Sequence, residues 1–124
     1  MSLRALVVAA VLSGQAASLA AHHSIASVYD GSRRMTLEAI VAEFQFVNPH
    51  PVIRVDVERN GRVERWTLEM DNRWELAELG FKADTLKPGD RIIVSGSPAR
   101  REGNRLYVRR LDRPSDRFSY QHHR

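Results

Sequence analysis

Cysteine is absent from the 124 residues. The chain therefore has no disulfide framework, no cysteine zinc ribbon and no thiol nucleophile. Long hydrophobic runs are also missing. The most apolar stretch, Ala5 to Leu12, is far short of the roughly 20 residues that span a bilayer as a helix. There is no Gly-x-Ser-x-Gly, no phosphate-binding glycine loop, no His-Glu-x-x-His and no EF-hand loop, and no segment repeats. Enzymatic chemistry would have to come through a metal, and a non-catalytic protein is the expectation. What is present is an ordinary globular composition, 43% hydrophobic and 27% charged, with a net charge of +4 and a pI near 10.1.

The N-terminal segment reads as an export signal. Arg4 is the only charge before His22, the apolar run follows it, and small residues from Ala16 to Ala21 supply a cleavage region. Cutting after Ala20 leaves a chain beginning Ala21-His22-His23, and cutting after Ala21 leaves one beginning His22-His23. The expected location is periplasmic or secreted, with no transmembrane segment after cleavage. The sequence divides into a signal peptide (1–21), an N-terminal arm (22–34), a β-domain (35–112) and a basic polar tail (113–124).

Alternation of apolar and polar residues marks the strands. Leu37, Ala39 and Val41 alternate with polar neighbours, but Phe44 and Phe46 carry on with the opposite parity, so a bulge or bend is expected near Ala42. Asn48-Pro49-His50-Pro51 ends this strand, because proline cannot donate to a ladder. Ile53, Val55 and Val57 face a second alternating run, Trp66, Leu68 and Met70, across Asn60-Gly61. That pair favours a type I′ hairpin, which needs positive φ at both positions. Asn72, with Glu75 three residues on, predicts the N-cap of a short helix. Trp74, Leu76 and Leu79 would supply its apolar surface, and Gly80 its stop. Turns at Pro88-Gly89-Asp90 and Gly103-Asn104 separate two more strands. Three strands, a short helix and two strands, with the first strand bent, are the plan of a mainly β, five-stranded OB-like barrel. An open antiparallel sheet crossed by a helix is the alternative.

The five histidines occupy three places: His22-His23, His50 and His122-His123. With Ala21 first, His23 is the third residue, and the terminal amine, two amides and its imidazole can enclose Cu(II) or Ni(II) in a square plane. With His22 first, its amine and imidazole chelate one copper, and His50 or His23 completes a T-shaped site. His50, between two prolines, sits in a stiffened turn that can aim its imidazole. A transition metal, copper favoured, is therefore the expected ligand, held by His22, His23 and His50. The plain alternative is a solvated chain end and an exposed turn histidine.

The positive charge is local. Residues 22–98 carry 10 basic and 12 acidic side chains, whereas residues 99–124 carry 8 and 3. Arg101, Arg105, Arg109 and Arg110 accompany Tyr107, a pattern that binds single-stranded nucleic acid or an anionic surface on OB-folds. Export disfavours nucleic acid as the partner. A third expectation is a periplasmic protein-interaction module.

The motifs Ala21-His22-His23-Ser24, the strand ending Asn48-Pro49-His50, and the Lys87-Pro88-Gly89-Asp90 turn occur in an order that resembles a family of exported bacterial proteins, domain of unknown function family 6152. The resemblance covers most of residues 21–111, with Ile25 where the family commonly has phenylalanine. It implies export and a small β-domain, directs attention to His22, His23 and His50, and supplies no substrate. His122 and His123 lie outside it.

Overall fold

A computed structural model describes residues 25–123. Its strands are β1 (Met35–Gln45), β2 (Val52–Arg59), β3 (Arg62–Glu69), β4 (Arg91–Pro98), β5 (Arg105–Arg113) and β6 (Phe118–Gln121), with helix α1 (Arg73–Glu78) between β3 and β4. The strands form one sheet in the order β3-β2-β1-β4-β5-β6, and a parallel β3–β5 pairing closes five of them into a barrel. This is the OB-like barrel that the alternation predicts, with one strand added. Among the described residues no helix is long and apolar enough to cross a membrane.

Local chemistry explains the turns. Asn60 and Gly61 both have positive φ, 52° and 73°, as the β2–β3 hairpin requires. The β1–β2 register slips between Val41 and Glu43, so Ala42 is the bulge that reverses the apolar parity. Through that bend β1 pairs with β4 along its first half and β2 along its second. Gly96 sits at a second register shift, where β4 presses so closely on β5 that a Cβ would overlap the Tyr107 carbonyl.

Asn72 caps α1 by accepting from the Glu75 amide at 2.9 Å. The helix stops in a Schellman turn: Gly80 N–H donates to Ala77 O and Phe81 N–H to Leu76 O, each at 3.0 Å. Leu76 alone of the three expected apolar residues is buried; Trp74 is 68% exposed and Leu79 59%. Six residues give a helix one buried stripe, and Leu76 with Phe81 fills it.

The core joins Leu37, Val41, Ile53, Val55, Trp66, Leu68, Ile92, Val94, Leu106 and Leu111 inside the barrel. The expected polar tail carries β6. Phe118 and Tyr120 alternate with Ser119 and Gln121, and both rings pack edge-on against Phe81 at 5.5 and 5.6 Å. Arg113 braces the turn before it. Its side chain, 14% exposed, bonds Asp90 and Thr85 O at 2.7 Å and Asp116 at 2.8 Å.

Candidate functional site

The arm crosses one end of the barrel. Residues 25–28 form a helical turn, and backbone bonds from Asp30 to Pro98 and from Arg100 to Val28 tie it to the end of β4. Tyr29, buried, donates its hydroxyl to Glu69 at 2.6 Å. Beneath the arm lies a cavity of about 700 Å³. Ile25, Ala26 and Tyr29 line it from the arm, His50 from the β1–β2 turn, and Asp71 from the β3–α1 junction. Tyr107 and Arg109 of β5 and His122 beyond β6 complete the wall.

His50 is fixed by Met70, the residue that follows β3. Its Nδ1 lies 2.9 Å from the Met70 carbonyl oxygen, while Met70 N–H donates to Pro51 O at 3.0 Å. A carbonyl only accepts, so Nδ1 carries the hydrogen and Nε2 of the neutral ring holds the lone pair.

His122 arrives by a different route. One edge of β5 is shared: β3 runs parallel along residues 105–107, and β6 runs antiparallel along residues 110–113. The C-terminal ends of β3 and β6 therefore converge on residues 108–109. Asp71 lies just beyond one and His122 just beyond the other, where His122 N–H continues the ladder to Arg109 O at 2.8 Å. The His122 side chain is 6% exposed, and its Nδ1 stands 3.0 Å from Asp71 Oδ2 without the geometry of a directed hydrogen bond. Burial by itself would push the Asp71 carboxyl up. The neighbouring His122 ring and the Asn72 amide, which donates to Asp71 at 2.8 Å, outweigh it and hold the carboxyl well below the usual carboxylate range.

The expected ligands divide. His50 lines the cavity; His22 and His23 lie outside the described residues. Among the described residues no group of three or more histidine or acidic side chains is arranged to hold a metal ion. Those residues supply two cavity imidazoles, one expected and one, His122, that sequence reasoning left in the tail. The signal for it was the alternation of Phe118 and Tyr120, which marks a strand leading to His122.

The basic residues are largely engaged within the chain. Arg105 pairs with Glu69 at 3.5 Å and stacks on Tyr29, and Arg110 grips Asp112 at 2.7 Å. Arg109 lies over the Tyr107 ring at 5.0 Å, and that ring is buried rather than offered to a base. Arg101 is exposed in the β4–β5 loop.

The sequence profile of the family of unknown function DUF6152 matches residues 9–108. The chain belongs to this family. The matched residues include His22, His23, His50 and Asp71, and stop short of His122. No curated protein matches the chain.

Proposed function

We propose that this DUF6152 domain is an exported, non-catalytic binding protein that holds a transition metal ion, copper by preference, through His50 and the N-terminal histidines His22 and His23. One observation carries the reading: Ile25 and Ala26 line the same cavity as His50. His22 and His23 precede Ile25 by two or three residues, a covalent reach of no more than about 10 Å. The arm therefore enters the cavity wall immediately after the two histidines, as a site shared with His50 requires. His50 has the form of a metal-ligating histidine, with Nδ1 tied to a carbonyl and Nε2 left as donor. An all-nitrogen donor set without thiolate suits Cu(II), which sits at the top of the divalent affinity order.

The test is a Cu(II) competition titration of exported protein whose N-terminal residue is established by mass spectrometry. His50→Ala is expected to weaken binding by about 100-fold, at least the loss that removing an outer-shell partner causes. His22→Ala and His23→Ala identify which N-terminal chelate forms. A simple terminal chelate would ignore His50→Ala, and that result would refute the shared site.

A further inference from the structure

We infer that the cleft between α1 and the end of β6 is a second binding site, which takes an alkylammonium group with its head against Asp71, Glu75 and the Tyr120 hydroxyl. This site goes beyond the metal-binding reading and does not depend on it. All of its walls lie among the described residues.

The cleft has a volume of about 210 Å³, which admits one side-chain-sized group rather than a drug-sized molecule. Asp71 from the β3–α1 junction and Glu75 and Glu78 from α1 line it, and no lysine or arginine does. The basic groups of its wall are the imidazoles of His122, beside Asp71, and of His123, which is exposed. Three carboxylates around so small a space call for a cation. The described residues hold no group of three arranged for a metal ion, so the cation that suits them is an organic one.

Independently of the acids, Tyr120 lines the same cleft and is 5% exposed, and its buried hydroxyl has no hydrogen-bond partner. Buried hydroxyls are ordinarily bonded, so one left unbonded marks a missing partner. Phe81 packs edge-on against the ring at 5.6 Å and holds it in place. Burial first, and then the charges of Asp71, Tyr107 and Glu75, hold this phenol above its ordinary value, with the Arg109 guanidinium opposing them. The hydroxyl is thus within electrostatic reach of two carboxylates of the cleft. An ammonium head bonds all three: the phenol oxygen and both carboxylates accept, and the carboxylates balance the charge.

Exposure falls along the cleft. Glu78 and Leu79 are exposed at its mouth, Asp71 and Glu75 are half-buried, and Tyr120 is buried. A linear amine matches this gradient with its head inward and its methylene stem along Leu79. The acceptors come from separate elements rather than from one plane, which suits the three rotatable donors of an ammonium better than the planar fork of a guanidinium. Two sources carry such a group: a lysine side chain of another protein, or a free linear amine.

The experiment is an NMR titration of the isotope-labelled full-length protein, with no metal added and at fixed ionic strength. Butylammonium is the probe for a free amine and N-acetyl-lysine methylamide for a lysine side chain. Butanol keeps the stem without the charge, and tetramethylammonium keeps the charge without N–H donors. Both amines should shift the amide signals of Asp71 to Leu79 and of Ser119 to His123 to saturation, and neither control should. Tyr120→Phe keeps the ring against Phe81 and removes only the hydroxyl; it should weaken amine binding by about 10-fold, the scale of one hydrogen bond to a charged group. Glu75→Gln/Glu78→Gln should weaken it by about 5-fold. Urea midpoints of the variants report the fold. Tighter binding of one amine than the other supports the site and names its source. Absence of saturable shifts, controls that match the amines, or Tyr120→Phe binding butylammonium as tightly as wild type each overturn the inference, and none of these results bears on copper.

Discussion

Met70 and Asp71 are adjacent, and between them they set the rings of two histidines that belong to opposite ends of the β-domain. Burial at this end of the barrel also governs the phenols. All three tyrosines of the chain, Tyr29, Tyr107 and Tyr120, are held above the ordinary phenol value, in each case first by burial. The Glu69 hydrogen bond adds to this at Tyr29, and the Asp71 charge at the other two. With folded values above the unfolded one of about 10, the unfolded chain releases these protons first, so stability falls as pH rises above about 10. A spectrophotometric titration should show no tyrosinate absorbance at pH 10 while the fold is intact. It should then show one step at higher pH, coincident with loss of the circular dichroism signal. A partial tyrosinate signal from native protein at pH 10 would contradict the burial.

At the scale of elements, β6 is a structural strand. Phe118 and Tyr120 cover Phe81, which is also the residue that closes the Schellman turn of α1. Truncation after Arg117 removes both rings and is expected to lower stability by about 3–5 kcal/mol, from the burial of two large aromatic side chains. Urea unfolding measures it, and an unchanged midpoint would return residues 118–124 to the status of a solvated tail. The other elements are legible in the sequence because each obeys a local rule. Asn60-Gly61 dictates its hairpin by φ, the parity change at Ala42 marks its bulge, and Asn72 caps its helix. β6 escapes such reading because four residues between Arg117 and His122 resemble a polar tail, and their burial depends on Phe81, far away in sequence.

Over the whole molecule, the excess of positive charge in residues 99–124 is partly neutralised within the chain. Arg105, Arg110 and Arg113 are paired with Glu69, Asp112, Asp90 and Asp116, and Tyr107 is inside. The exposed pairs among these add little stability, but they neutralise the strand locally. Fluorescence anisotropy with a labelled single-stranded oligonucleotide should therefore show no salt-sensitive association at physiological ionic strength. A slope of several units in log affinity against log salt would revive the arginine face as an interface.

The elements of the barrel are legible in the sequence: period-two alternation, two turn pairs and one cap are local instructions, each read within a few residues. It also singled out His50, through the prolines beside it. The closure of the barrel and the meeting of Asp71 with His122 are not legible there, because they depend on β3 and β6 running in from opposite directions along one edge of β5. Strand direction and shared edges follow from how the whole chain closes, and no local pattern in residues 71 or 122 carries that information.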